Sequence, residues 1–191
     1  MKLACIGASD TEGEESYPSH LAALLGPAHE VRNFGIGGRT MLKKGDSPYW
    51  NEPFFAQSSA WLPELVSIML GGNDSKPWNW AHASEFLGDY KAMIRHYQNL
   101  DSHPQVFACA SLPAFGEGNF GISQAVIQQE VLPLIRQAAA EMGCATIDTH
   151  TPLLGMEKEF PDRVHPSPAA SKVIAQVMAK ALASQGVLRG H

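Results

Sequence analysis

Short apolar runs that end at glycine alternate along this chain with longer stretches whose apolar residues recur at helical spacing. The first run, Leu3-Ala4-Cys5-Ile6, stops at Gly7, and Ser9 follows two residues later in Ala8-Ser9-Asp10-Thr11. Residues 17–26 read as a short amphipathic helix, with Ser16 as its cap, Pro18 in its first turn and Gly26 as its stop. Residues 30–34 predict a second strand, ending in Gly35-Ile36-Gly37-Gly38. The stretch 39–59 has no clean periodicity and reads as a long loop, which Tyr49, Trp50, Phe54 and Phe55 would keep ordered. Residues 65–70 are continuously apolar, as in a strand covered on both sheet faces, and lead into Gly71-Gly72-Asn73-Asp74. A helix over 83–100 follows, then a strand over 106–110 and a Pro/Gly-rich loop through Gly121. The remainder reads as a helix over 124–142 kinked at Pro133, a strand over 145–148, and a closing helix over 168–185.

Strands alternating with helices imply a mostly parallel sheet with right-handed crossovers. Five strands suit a flavodoxin-like three-layer α/β/α sandwich, and 191 residues without repeat or linker suit one domain, 1–191. An apolar content of 45% and a charged content of 17% fit an ordinary globule. The net charge of −5, without a run of like charges, argues against a nucleic-acid or anionic-membrane partner. No apolar run approaches the length of a membrane span, and no signal peptide precedes the first strand, so the cytoplasm is the default expectation. Cys5, Cys109 and Cys144 lack CxxC spacing and read as small core hydrophobes. Neither a metal nor an organic cofactor is expected.

In an open α/β sheet, ligands bind beyond the carboxyl ends of the strands. Four such ends or late loops carry Ser9, Gly38, Asn73 and the pair Asp162/His165. Each has an ordinary alternative: a turn serine, a tight glycine turn, a helix cap, and a surface or weak metal pair. Together they fit one chemistry. A serine hydroxyl needs a base to take its proton; His165 could serve, with Asp162 three residues earlier fixing its tautomer. The Ser9 and Gly38 amides and the Asn73 side chain could stabilise the developing oxyanion.

In chain order, Gly7-Ala8-Ser9-Asp10-Thr11-Glu12-Gly13, Asn33-Phe34-Gly35-Ile36-Gly37-Gly38-Arg39-Thr40, Leu70-Gly71-Gly72-Asn73-Asp74 and Asp162-Arg163-Val164-His165-Pro166 resemble the landmarks of the SGNH hydrolase superfamily. These are the GDSL-type esterases, and the likeness is strongest to their carbohydrate-esterase-like branch. The resemblance spans nearly the whole chain. It implies a serine esterase with Ser9 as nucleophile, His165 as base, Asp162 as its orienter, and Ser9, Gly38 and Asn73 as the oxyanion hole. The implied substrate is a short acyl ester, acetyl above all, on a small molecule or glycan. The first block departs from the family's Gly-Asp-Ser followed by an apolar residue, because Ala8 and Asp10 flank the serine here. If the strand stays extended, the side chain of Asp10 turns away from that of Ser9 and replaces hydrogen bonds of the family's aspartate.

All four tryptophans lie between residues 50 and 80. Trp50, Trp78 and Trp80 are candidates to face a sugar ring, against the alternative that they pack the loop; Trp61 reads as packing. Other readings are a lysophospholipase or acyl-thioesterase on the same triad, and a catalytically weak carbohydrate-binding relative. Oligomeric state is not legible.

Overall fold

The computed structural model describes residues 1–116 and 119–187. Within them β1 (Lys2–Gly7), β2 (Glu30–Gly35), β3 (Leu65–Met69), β4 (Gln105–Cys109) and β5 (Ala145–Ile147) form one parallel sheet in the order β2-β1-β3-β4-β5. β1 is flanked by β2 and β3, with Gly7 opposite both Gly35 and Met69, so these three strands end level with one another. The sequence reading of a five-stranded doubly wound sandwich holds.

Successive side chains on a strand point to opposite faces, and the core divides accordingly. Ala4, Ile6, Val66, Ile68, Val106 and Ala108 lie in one apolar layer, covered by α4 (Ala83–Gln98) and α6 (Leu132–Glu141). Leu3, Cys5, Leu65, Phe107, Cys109 and Ile147 lie in the other, covered by α1 (Tyr17–Leu25) and α7 (Pro168–Ser184). Cys5 and Cys109 are buried as core hydrophobes, while Cys144 is only partly buried. No helix among the described residues is long and apolar enough to cross a membrane.

Three local expectations need correction. Ser16 precedes α1 but does not cap it; its hydroxyl donates instead to the carbonyls of Thr11 (2.6 Å) and Gly13 (2.7 Å), tying down the turn after β1. The stretch 39–59 is not all loop, since α2 occupies Pro53–Ala60, and the short α3 (Pro77–Trp80) follows β3. Pro53 starts α2 and Phe54 and Phe55 pack against the core. The helix expected over 124–142 is divided into α5 (Gln124–Val126), a wide π turn over Ile127–Val131, and α6. Pro133 has no N–H to donate back into the preceding turn, and widening that turn also relieves its ring.

Candidate active site

The chain leaves β1 at Gly7 and doubles back at once. The amides of Thr11 (3.0 Å) and Glu12 (2.9 Å) both donate to the carbonyl of Ala8. This turn lies so tightly over the strand ends that a Cβ on Gly7 would come 1.9 Å from Thr11 Oγ1, and one on Gly35 2.5 Å from the Glu12 nitrogen. Both glycines are therefore required by close approach, and the turn they permit presents Ser9.

His165 Nε2 lies 2.9 Å from Ser9 Oγ, and His165 Nδ1 lies 2.5 Å from Asp162 Oδ2. The other carboxylate oxygen, Oδ1, accepts the amides of Val164 (3.0 Å) and His165 (2.7 Å). Arg163, at φ 69°, takes the left-handed conformation that closes this turn. Desolvation alone would lift the Asp162 carboxyl; the amide and imidazole of His165 and the amide of Val164 outweigh it and hold the group below its ordinary range. An anionic Asp162 favours a proton on Nδ1, which leaves Nε2 free to accept from the serine. The ring of Phe120 meets that of His165 edge-on, centroids 5.4 Å apart.

The glycine block after β2 closes on the same point. A Cβ on Gly37 would stand 3.6 Å from Ser9 Cβ, and the Gly37 amide donates to Glu12 Oε2 (3.0 Å). Gly38 follows at φ 79°, a conformation that favours glycine. Asn73 comes from the end of β3 and lines the cavity at Ser9. One hydrogen of its amide goes to the carbonyl of Arg39 (3.2 Å), which links the two blocks, and the second meets no acceptor among the described residues. Next to it the buried Asp74 accepts the amides of Met41 (3.0 Å) and Leu42 (2.7 Å). Desolvation nevertheless pushes the Asp74 carboxyl up to about 7.

Asp10 does not turn away. β1 has already ended at Gly7, so strand alternation does not extend to residues 8–11, and Asp10 lines the same cavity as Ser9, Asn73 and His165. Its Oδ1 accepts the Thr11 hydroxyl (3.1 Å). Desolvation pushes its carboxyl up to about 6, against the Thr11 hydroxyl, the Ala8 amide, the attraction of His165 and its own amide.

That cavity is small, about 40 Å³, and apart from its polar members is walled by Leu70, Leu112, Ala114, Ile122, Ile127 and Val164. A second, more open cavity of about 340 Å³ meets it at Ser9 and His165, between the 12–16 turn and the start of α7. The sequence reading missed these walls, whose members are scattered over five segments without a shared motif.

The tryptophans fall elsewhere. Trp50 donates to the carbonyl of Met41 (2.8 Å) and packs on Phe55; Trp80 donates to Glu130 Oε2 (2.9 Å) and packs on Phe86. Trp78 is more than half exposed, bonded through its indole to Asp46 Oδ2 (2.8 Å). None of the three borders the cavity at Ser9, so the sugar-facing expectation for Trp50 and Trp80 gives way to packing. No cluster of three or more metal-ligating side chains occurs among the described residues.

The family model of the GDSL-like lipase/acylhydrolase family matches residues 4–173. An acetylxylan esterase of Xylanibacter ruminicola is 34% identical over 207 residues, which cover 95% of this chain and 43% of that protein. The chain thus spans less than half the length of that relative. A second acetylxylan esterase, from Geobacillus stearothermophilus, is 27% identical, with 97% of this chain and 95% of that protein covered. Among solved structures, a carbohydrate acetylesterase from Sinorhizobium meliloti superposes with a TM-score of 0.75 at 18% identity, covering 96% of this chain and 99% of the other. That last likeness speaks for the fold.

Proposed function

The chain belongs to the GDSL-like lipase/acylhydrolase family, and from that premise we propose that it is a serine esterase removing acetyl groups from a carbohydrate. The observation that carries the reading is the continuous relay Ser9 Oγ–His165–Asp162 opening onto a small, partly enclosed cavity of about 40 Å³ with polar and apolar walls. A water-sized group needs roughly 10–15 Å³ on this measure, so there is room for about three heavy atoms. An acetyl group has three; a long acyl chain would have to run out of the cavity.

In the first step Ser9 Oγ attacks the ester carbonyl carbon while its proton passes to His165 Nε2. Asp162 holds the ring and balances the imidazolium. The oxyanion is stabilised by the amides of Ser9 and Gly38 and the free amide hydrogen of Asn73. Collapse breaks the bond to the alcohol, which leaves with the proton from His165. Water then attacks the acyl-enzyme, gives one proton to His165, and the acid departs as Ser9 takes that proton back. The carbohydrate as alcohol is supported by the two acetylxylan esterase relatives.

The test is a p-nitrophenyl ester series from acetate to octanoate, run beside an acetylated xylan. Acetate should be the best aryl substrate, activity should fall steeply beyond butyrate, and Ser9→Ala should abolish turnover while the protein stays folded. Octanoate hydrolysed faster than acetate would overturn the acyl assignment, and wild-type-like turnover by Ser9→Ala would overturn the serine mechanism.

A further inference from the structure

Five large apolar side chains stand well exposed among the described residues, and two of them, Trp78 (55%) and Phe120 (57%), lie on neighbouring segments beside the catalytic turn. Phe120 sits in the single turn Asn119–Gly121 at φ 59°, a left-handed conformation that costs a residue with a side chain. Its loop is fastened at both ends: Asn119 Nδ2 donates to the carbonyl of Asp162, and the Ser123 amide donates to Ser75 Oγ (3.0 Å). The Phe120 ring is thereby held edge-on to His165. Trp78 packs its indole on the next residue of that loop, where a Cβ on Gly121 would come 2.7 Å from Trp78 Cη2.

Between α3 and this loop lies an open hollow of about 420 Å³, bordered by Pro77, Gly121, Ile122 and Gln124. Trp78 and Phe120 are each next in sequence to a residue that borders it, and Ile122 also walls the cavity at Ser9. No charged side chain lines the hollow among the described residues, and both polar side chains that do are engaged. Gln124 Oε1 accepts the Ala114 amide (2.9 Å), and Ser123 Oγ accepts that of Val126 (3.3 Å). Exposed rings fixed beside a nucleophile, with little free polarity around them, suit a ligand that presents a C–H face.

We propose that Phe120 and Trp78 form the subsite for the alcohol half of the ester and take the C–H face of an uncharged sugar ring. The inference rests on the esterase reading above, since the acetyl group must fill the cavity at Ser9 for the alcohol to project past Ile122. The two rings, rather than charges, then set a preference for ring alcohols over open-chain ones. An aromatic contact of this kind changes kcat/KM about 3–10-fold.

The acetates of methyl β-xyloside (at O3), cyclohexanol and ethanol decide it, since all three pass through the same acetyl-enzyme. The readout is kcat/KM for each ring ester divided by that for ethyl acetate, a ratio in which any effect of a variant on His165 cancels. Phe120→Ala and Trp78→Ala should each lower this ratio about 3–10-fold from its wild-type value, and Phe120→Tyr should hold it within about two-fold. About 0.5 M NaCl should leave it unchanged, because no charge takes part. A ratio unmoved in both alanine variants overturns the proposal. So does an effect confined to the p-nitrophenyl acyl series, which would make the hollow an acyl channel. Methyl β-xyloside titrated into Ser9→Ala should shift the Trp78 indole N–H in NMR spectra, and no shift up to the solubility of the sugar overturns the subsite. Absence of fluorophosphonate labelling and of p-nitrophenyl acetate turnover overturns the esterase reading instead, and the titration still decides whether the rings hold a sugar.

Discussion

Replacing Asp10 by asparagine removes a charge while keeping an oxygen for the Thr11 hydroxyl, which Oδ1 now accepts at 3.1 Å. Desolvation raises this carboxyl from its ordinary 3.8 to about 6 in the folded protein. The folded state therefore holds the proton more tightly than the unfolded chain, and stability falls as pH rises from about 4 to about 6. At roughly 1.4 kcal/mol per pH unit, the ionised carboxylate costs the fold up to about 3 kcal/mol above pH 6. Asp10→Asn should recover that cost, raising Tm by about 6–12 °C at pH 7.5 for a domain of this size. Near pH 4 the two proteins should melt together. The same charge stabilises the imidazolium of His165 and opposes the oxyanion. The variant should therefore turn over p-nitrophenyl acetate faster. Thermal melts of both proteins from pH 4 to 8, beside kcat/KM on the same grid, provide the measurement. A variant that melts lower at neutral pH and works more slowly would show that the carboxylate anchors the turn, and would refute the electrostatic account.

His165→Ala should reduce kcat by several orders of magnitude, and adding Asp162→Asn should cost little more, because a relay fails as a unit; full additivity in the double variant would count against it. Asn73→Ala should lower kcat roughly 10²–10³-fold with little change in KM. An effect confined to KM would make Asn73 a substrate holder. Gly71 has φ 131°, and a Cβ there would lie 2.6 Å from Ser111 Oγ and 2.9 Å from Val131 Cγ1. Gly71→Ala should accordingly cost about 3 kcal/mol in urea denaturation, and an unchanged midpoint would contradict the crowding.

Much of the fold was legible because its information is local. Strands such as Leu65–Met69 are apolar on both faces and end at glycine, and α7 starts at a serine and proline whose capping chemistry the structure uses, with Ser167 Oγ accepting the Ala170 amide at 3.3 Å. Elements set by tertiary contact were not legible. α2 is short and has aromatic residues where a periodic apolar stripe would be expected, and what orders it is the packing of Phe54 and Phe55 on the core. The π turn before α6 follows from where Pro133 falls against the preceding carbonyls, which composition signals only as a kink.

The candidate site divides the same way. Asp162 and His165 are three residues apart, and one tight turn brings carboxylate and ring together, but that common spacing was informative only beside the other strand ends. Ser9 and Asn73, which line one cavity, were legible through a weaker inference, that parallel strands deliver their following turns to one edge. Asp10 shows where that inference stops. Its orientation depends on whether the strand period continues past Gly7. It does not, because Thr11 and Glu12 fold back to bond Ala8. A position three residues beyond the strand thus lines the nucleophile's cavity when extension would have carried it away. The family's aspartate precedes the serine, while here Ala8 stands there and the acid follows, so the charge has moved to the cavity side of the turn. Sequence alignment of the block would treat this as an exchange of neighbours. In three dimensions it places a second, protonatable carboxyl at the cavity of the relay, whose charge steadies the imidazolium but opposes the oxyanion, and both effects vanish when Asp10 is neutral.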